Sequence, residues 1–195
     1  MKKKASNRQL EIIEAAARLL MESGIKGLTT KNLASQVGFS ESALYRHFKN
    51  KEDIVVLLLE YLASNIIERL EKFQFEEKNS IEKLKNIFSS QFNYFSENPH
   101  FIVAILSEGL FDETENIYQS MMKIISFKTQ LLTNIIERGK AKNELTDEIS
   151  TSDIVHIVMG SFRLMMLKWK LSKFETDLIT EGNKIIESNL KLIQI

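Results

Sequence analysis

Residues that interrupt helices are rare in this chain. The sequence of 195 residues contains one proline, Pro99, and seven glycines. A β-sheet needs frequent turns, which glycine and proline largely supply, so such sparse turn residues favour long helices. Apolar residues recur at spacings of three and four along most of the chain, which is the pattern of helices with one buried face. We therefore predict an all-α fold of about nine helices.

The charged residues are distributed unevenly, although the chain as a whole is neutral. Residues 1–51 contain ten lysines and arginines but only four acidic residues, whereas the remainder carries an acidic excess. A basic first quarter favours a polyanionic partner such as nucleic acid. The alternative is a solvated basic tail, because Lys2, Lys3 and Lys4 supply three of the ten cations.

Several classes of protein are disfavoured by what the sequence lacks. Without cysteine, disulfides and thiolate sites are excluded. No stretch approaches the roughly 20 apolar residues of a membrane span, and no apolar segment follows the basic N-terminus as in a signal peptide. We therefore expect a cytoplasmic protein, associated with the nucleoid, that has no membrane contact. His47, His100 and His156 are scattered, and phosphate-binding glycine loops and nucleophile motifs are lacking, so we predict no metal, no cofactor and no enzymatic activity.

One segment has the pattern of two short helices joined by a tight turn. Ala34 is small enough for the helices to cross closely, Gly38 can adopt the positive φ of the turn, and Leu44 can anchor the second helix to the first. Either Thr29 or Thr30 can cap the first helix. We also assign Leu33, Val37 and Phe48 to the small core between these two helices. This is the pattern of a helix-turn-helix.

The second short helix begins with small polar residues and continues with larger ones that can reach DNA. Ser40 can cap it, and Ser42 follows in its first turn. Tyr45, Arg46 and His47 come one turn later, where they can reach phosphates or base edges. A lysine, Lys51, stands at the start of the next helix, where a helix N-terminus also attracts phosphate.

This combination resembles the DNA-binding domain of the tetracycline-repressor (TetR) family. The residues that carry the resemblance are Thr29–Thr30, Leu33–Ala34, Val37–Gly38, Phe39–Ser40, Ala43–Tyr45, His47–Phe48 and Lys51–Glu52. Phe39 and Ala43 depart from the smaller aliphatic residue and the glycine that are common in the family. The resemblance is strong over about residues 7–55 and architectural beyond them. It implies a DNA-binding domain over residues 1–52 and a helical effector-binding and dimerisation domain over residues 53–195.

The family pattern implies a set of DNA contacts at the helix-turn-helix. They are Thr30, Ser40, Ser42, Ala43, Tyr45, His47 and Lys51, to which the position of Arg46 adds one more. Some of these residues have simpler interpretations. Thr30 and Ser40 can be helix caps alone, Tyr45 can belong to the core, and His47 can pack on the surface.

The resemblance also implies two roles for the C-terminal region. The last two helices of the family pair with their copies in a second subunit, and the candidates here are Ile154, Ile157, Val158, Ser161, Phe162, Met165, Ile186 and Leu190. About half of these can instead belong to the core of one subunit. The middle helices enclose an effector pocket, and the polar candidates for it are Gln91, Tyr94, Ser107, Tyr118, Asn134 and His156.

Together these observations predict a DNA-binding transcriptional regulator. The interpretation that we favour is a ligand-responsive repressor, which binds a palindromic operator as a homodimer and releases it when a small, largely apolar effector binds. The alternative is a DNA-bound scaffold that recruits a protein partner without an effector, as nucleoid-occlusion members of the family do. An activator is a third interpretation.

Overall fold

The computed structural model describes residues 6–46, 48–107 and 114–195. These residues form nine α-helices, one short 3-10 helix and no β-strand, which confirms the all-α prediction for them. The helices are α1 (Asn7–Gly27), α2 (Thr30–Val37), α3 (Glu41–Tyr45), α4 (Lys51–Leu70), α5 (Ser80–Glu97), α6 (Pro99–Leu106), α7 (Glu115–Ala141), α8 (Thr151–Leu171) and α9 (Leu178–Lys191), with the 3-10 helix at Glu71–Phe75. None of these helices combines the length and the apolar character that crossing a membrane requires.

Two helix ends follow from residues that favour the left-handed conformation. Gly24 has a φ of 62°, so α1 bends there before a last turn that ends at Gly27. Asn143, just beyond the end of α7, has a φ of 55°, so the helix does not continue past it. Both residues belong to the types that tolerate this conformation.

Capping residues set where the last two helices begin. α8 starts after Ser150, whose hydroxyl accepts a hydrogen bond from the N–H of Asp153 at 3.1 Å and thereby caps the helix. Between α8 and α9, Lys173 and Phe174 have positive φ values of 55° and 67°. Asp177 then caps α9. Positive φ is uncommon for lysine and phenylalanine, and these two residues interrupt the helical backbone after Leu171.

The described chain packs as two compact units. Unit 1 contains the described residues of Met1–Asn65 and His100–Ile124, and unit 2 contains those of Ile66–Pro99 and Ile125–Ile195. α4 and α7 each begin in unit 1 and end in unit 2, so each of these two helices contributes residues to both units. The predicted domain boundary at residue 52 divides the chain by function, and it stays a prediction.

Three carboxylates connect the helices of unit 1. Glu14 lies 3.0 Å from His100. Glu52 accepts hydrogen bonds from Thr114 and Asn116, both at 2.8 Å. Glu60 lies 3.4 Å from Lys123. Burial lowers the pKa of His100, and the neighbouring Glu14 carboxylate opposes this effect only in part. The exposed Glu60–Lys123 pair contributes little, because solvent screens it. The other two carboxylates anchor α6 and the start of α7 to α1 and α4.

Phenylalanine side chains fill the core of unit 2. The ring centroid of Phe162 on α8 lies 5.7 Å from that of Phe88 and 5.3 Å from that of Phe92, both on α5. α9 packs against α5 at Gly182, where an added Cβ would come within 2.7 Å of the Phe92 ring. The absence of a side chain at Gly182 is therefore what allows α9 to approach α5 so closely.

Replacing Gly182 by alanine is expected to destabilise the protein. The added methyl group would overlap the buried Phe92 ring, so the ring or one of the two helices must move. Overpacking costs about 1–3 kcal/mol, whereas the better helix propensity of alanine returns roughly 1 kcal/mol. We expect the free energy of unfolding, measured by chemical denaturation, to fall by up to about 2 kcal/mol. Ser188→Ala, at an exposed site on the same helix, is the control, and equal stability of the two variants would contradict the close approach.

Candidate functional site

Local hydrogen bonds and one glycine fix the two short helices of unit 1. Thr29 accepts a hydrogen bond from the N–H of Asn32 at 3.1 Å and caps α2. Gly38 ends α2 with φ 70° and ψ 32°, a left-handed conformation that glycine adopts without steric cost. Ser40 caps α3 by accepting from the N–H of Ala43 at 3.2 Å. The predicted turn and second cap are confirmed, and Thr29 is the first cap.

The small core that joins these helices is also present. Leu33, Ala34, Leu44 and Phe48 are buried, while Val37 is half-buried. Two short helices that share such a core across a tight turn form a helix-turn-helix. Because the apolar side chains are buried in this core, the polar residues of α3 are left on the surface.

The described residues that are predicted to contact DNA are all at least partly exposed to solvent, on or next to the helix-turn-helix. Ser40, Ser42, Tyr45 and Arg46 are exposed, Thr30, Ala43 and Lys51 are half-buried, and His47 lies outside the described residues. The hydroxyl oxygens of Thr30 and Tyr45 lie 3.0 Å apart, and those of Ser40 and Ser42 lie 3.1 Å apart. Tyr45 is 50% exposed, so it is not a core residue. The role of these residues in binding DNA stays a prediction.

Sequence reasoning missed one cation beside the turn. The guanidinium carbon of Arg8, on the first turn of α1, lies 4.0 Å from the ring centroid of Phe39. Phe39 is one of the two positions where this chain departs from the resembled family, and its ring gives the guanidinium a face to stack on. The sequence signal was only the general positive charge of this region. The fold is what brings Arg8 next to the turn.

The first turn of α4 is held by several hydrogen bonds. Asn50 accepts from the N–H of Asp53 at 3.0 Å, and Asp53 accepts from the N–H of Lys49 at 2.7 Å. Glu52, in the same turn, holds Thr114 and Asn116 at the start of α7. The backbone around Lys51 therefore has a well-defined position.

The six candidate effector residues are divided between the two units. Ser107 and Tyr118 belong to unit 1, and Gln91, Tyr94, Asn134 and His156 belong to unit 2. Tyr118 and His156 are exposed, whereas Ser107 and Asn134 are half-buried and hydrogen-bonded to neighbours within a few residues of the chain. Only Gln91 and Tyr94 are brought together, through a residue that was not predicted. Their contact with an effector stays a prediction.

That residue is Arg69, the centre of a polar group in unit 2. Its guanidinium donates to the backbone carbonyl and the hydroxyl of Ser90 at 3.0 Å and 3.1 Å and to Gln91 Oε1 at 2.9 Å, and it stacks over the ring of Tyr94 at 4.2 Å. Burial lowers the pKa of Arg69, and Tyr94 acts in the opposite direction. Gln91 is fully buried, and its Nε2 has no hydrogen-bond partner among the described residues. Arg69, Ser90 and Tyr94 also line a surface depression of about 530 Å³.

Lys128 on α7 is a second cation that sequence reasoning missed. It is only 9% exposed, and its Nζ lies 4.2 Å from the ring centroid of Phe162. Burial, and then the charge of Arg69, lower the pKa of Lys128 to about 8. A signal was present in the sequence, because Lys128 follows Ile124 by four residues and precedes Leu131 by three. It therefore occupies a position in the buried stripe of α7.

Five of the eight predicted interface residues are buried in the subunit, and the other three keep exposed surface on α8. Ile154, Val158, Phe162, Ile186 and Leu190 are buried within the subunit, so their apolar surface is already removed from water. Ile157 is exposed, and Ser161 and Met165 are half-buried. The outer face of α8 also exposes Leu164, Leu167 and Leu171. At Gly160, on this face, an added Cβ would meet no atom within 4 Å.

A helix-turn-helix with an exposed polar second helix, followed by a larger helical region, defines a DNA-binding transcriptional regulator. The model of the tetR family of bacterial regulatory proteins matches residues 12–58, and the model of the C-terminal region of YsiA-like proteins matches residues 60–192. Together these two models span almost the whole described chain. The chain belongs to the TetR family.

Three known proteins illustrate this similarity. Nucleoid occlusion factor SlmA of Marinomonas sp. is 27% identical over 84% of this chain and 85% of its own length. The fatty acid metabolism regulator protein of Bacillus subtilis is 24% identical over 91% of each chain. The structure of the transcriptional regulator FadR from Bacillus subtilis in complex with stearoyl-CoA has the same fold, with a TM-score of 0.82 and 24% identity over 93% of this chain and 97% of that one.

The buried charge of Lys128 makes a prediction about stability and pH. The lysine has a pKa of 10.5 when unfolded and about 8 when folded. Below pH 8 both states are protonated, so folding must bury the charge, which costs about 3 kcal/mol. Between pH 8 and 10.5 only the unfolded state keeps the proton, so this cost falls progressively as the pH rises and is gone above pH 10.5. We expect ligand-free Lys128→Met to exceed the wild type in free energy of unfolding by up to about 3 kcal/mol at pH 7, with the difference vanishing above pH 10.5.

Chemical denaturation across this pH range measures the effect. Lys123→Met is the matched control, because Lys123 is exposed on the same helix. The free energy of unfolding of this variant should differ from that of the wild type by less than about 1 kcal/mol. A Lys128→Met variant that is less stable than the wild type at pH 7 would show that the ammonium is compensated within the folded chain.

Proposed function

We propose that this TetR-family regulator is a repressor that binds a palindromic operator as a homodimer and releases it when a small, largely apolar effector binds. The observation that carries the DNA-binding part is the exposed surface of α3 and the turn before it. Ser42 is small enough to let the helix approach base edges, and Tyr45 and Arg46 are long enough to reach phosphates or bases. A recognition helix of this kind lies in the major groove.

Two further cations support the same DNA-binding surface. Lys51 stands in the first turn of α4, where its charge and the helix N-terminus both attract phosphate. Arg8 adds a guanidinium beside Phe39, at the turn before α3. Phosphate contacts of this kind fix orientation on the duplex, whereas contacts from α3 select the sequence. The site of action that we propose is the bacterial nucleoid in the cytoplasm.

The proposed homodimer is supported by the outer face of α8. Ile157, Leu164 and Leu171 follow each other at intervals of seven residues and are exposed in the single subunit. Such a stripe is the seam that a second helix covers, and Gly160 allows that helix to come close. The occupant that we propose is a second copy of this chain, because two recognition helices about 34–36 Å apart read two half-sites of a palindrome.

The effector that we propose is a long-chain fatty acyl compound. The relatives that support it are the Bacillus subtilis fatty acid metabolism regulator and the regulator solved with stearoyl-CoA. A site for such a molecule needs apolar walls and a few polar groups. Unit 2 offers both, in the phenylalanines around Phe162 and in the polar group around Arg69.

Release of DNA requires that the effector prefer a different arrangement of the recognition helices. α4 is one continuous helix from Lys51, beside the helix-turn-helix, to Leu70, beside Arg69. α7 likewise begins at the Glu52 contacts and continues to Lys128 and beyond. We propose that these two helices carry the change. A preference of about 2.7 kcal/mol for the non-binding arrangement lowers operator affinity roughly a hundredfold.

A DNA-bound scaffold of the nucleoid-occlusion type is the second candidate function. It is favoured by the SlmA relative, which is 27% identical over most of both chains. The two functions differ in their response to ligand. Operator affinity that stays constant when long-chain fatty acids or acyl-CoA are added would favour the scaffold, whereas release of the operator would favour the repressor.

Substitutions at Arg46 and Lys51 are expected to affect DNA binding in different ways. If Arg46 reads a guanine, Arg46→Ala should weaken operator binding by roughly 1–3 kcal/mol while leaving random DNA nearly unaffected. Lys51→Ala should weaken both equally and lower the slope of log affinity against log salt by about 1, because it removes one phosphate contact. Footprinting upstream of the gene defines the operator, and titrations at several salt concentrations provide the affinities. Equal loss on operator and random DNA in Arg46→Ala would exclude base reading by Arg46.

A charge in the outer face of α8 is expected to dissociate the dimer. Leu164 is 58% exposed in the subunit, so Leu164→Glu should leave its fold intact but place a carboxylate in the proposed interface. Burying an unpaired charge costs several kcal/mol, so the dimer dissociation constant should rise at least about a hundredfold. Sedimentation velocity measures this change. Phe75→Glu, at a 71% exposed position of the 3-10 helix, is the control, and dissociation by both variants or by neither would argue against this interface.

A further inference from the structure

The ammonium group of Lys128 is a buried charge that lacks an anionic partner within the described residues. Its contact is the face of the Phe162 ring, and no hydrogen bond from its Nζ to a described residue is present. A cation–π contact offsets only part of the cost of burying an ion, so the ring alone does not compensate this charge. The charge of Arg69 acts on the same ammonium and makes its environment more positive.

Gln91 adds an unsatisfied donor to the same region. Its Oε1 accepts from Arg69 at 2.9 Å, so the amide is oriented by the guanidinium, and this leaves its buried Nε2 without an acceptor among the described residues. Gln91 precedes Phe92, whose ring centroid lies 5.3 Å from that of Phe162, the ring that Lys128 contacts. Arg69 is hydrogen-bonded to Gln91 in this same part of unit 2. Buried donors are nearly always satisfied in folded proteins. A group of donors that lack acceptors among the described residues, next to the charges of Lys128 and Arg69, is suited to an anion from outside those residues, such as a bound ligand.

The size and surroundings of the group indicate which anion fits. The donors are few, and Phe162 and its neighbours Phe88 and Phe92 make the environment apolar. A carboxylate brings one charge and two acceptor oxygens, whereas a phosphate brings more charge and a third oxygen that would also need donors. The depression lined by Arg69, Ser90 and Tyr94 shows that the edge of this group reaches the surface.

We propose that Lys128, together with the Gln91 amide and the Arg69 guanidinium, binds the carboxylate of a fatty-acid-like ligand in unit 2. This inference rests on the proposed function and deepens it, because it assigns the head group of the effector. The ligand is a free acid, since the carbonyl of a thioester or an ester is uncharged and leaves the ammonium uncompensated. Charge-assisted hydrogen bonds to the carboxylate are the interactions that the site gains.

Calorimetry with three ligands of equal chain length tests the proposal. Palmitate, methyl palmitate and palmitoyl-CoA are titrated, below the concentrations at which they self-associate, into the full-length protein and its variants. We expect palmitate affinity to fall at least about tenfold in Lys128→Met and in Lys128→Gln, which keeps a polar side chain. Lys123→Met, a neutralised lysine on the exposed side of the same helix, should bind palmitate like the wild type. Methyl palmitate should bind more weakly and equally to all four proteins.

The ionisation of the bound head group gives a second measurement. The carbon-13 resonance of carboxyl-labelled palmitate is followed against pH in the complex. A carboxylate beside Lys128 keeps its charge to lower pH than one in an apolar pocket, so its pKa should be lower in the wild type than in Lys128→Gln. An unchanged titration in the variant would overturn the assignment of Lys128 to the head group.

The outcomes separate this inference from the proposed function when operator release is measured in parallel. Palmitoyl-CoA that releases the operator while palmitate fails to bind would overturn the carboxylate site and leave the repressor intact. Palmitate that binds through Lys128 without releasing the operator would establish the site and contradict the proposed response. Palmitate binding that is equal in the wild type and both Lys128 variants would also overturn the site. Failure of all three ligands to bind would overturn both.

Discussion

α3 is a helix of five residues, and a helix this short has no stability of its own in water. It exists because Gly38 turns the chain, Ser40 supplies a cap, and Leu44 is buried against α2. Each of these features acts on the backbone near the residues that are proposed to face DNA. The position of the recognition surface therefore depends on one left-handed glycine and one small apolar core, and the charges around it are useful only because this framework is fixed.

Unit 2 shows the opposite arrangement, in which burial works against stability. Phe88, Phe92 and Phe162 form a core that favours folding, but the same core encloses the ammonium of Lys128. A methionine at that position would fill a similar volume without the cost of desolvation. This is the environment that we propose for a residue that binds a ligand carboxylate rather than one that only packs the core. Functional sites commonly reduce stability in this way.

The features that the sequence revealed are those that depend on one or two neighbouring residues. Ser40 and Gly38 act through a nearby N–H and through their own backbone, so their residue type was enough to predict the cap and the turn. The faces of α8 could not be sorted in the same way. Ile154 is buried and Ile157 is exposed, yet both are apolar, and only the packing of α9 and α5 decides which one faces the core. Arg69 was missed because its partners lie more than 20 residues away in sequence.

The length and composition of α4 have a mechanical consequence. The helix contains neither glycine nor proline over its 20 residues, so it lacks the usual sites of sharp kinks. At 1.5 Å per residue it is a stiff rod about 30 Å long. Tilting such a rod by roughly 6° about one end moves the other by about 3 Å. That displacement is close to the spacing of one base-pair step, so a rearrangement of a few degrees at one end is enough to place the other out of register with a DNA groove.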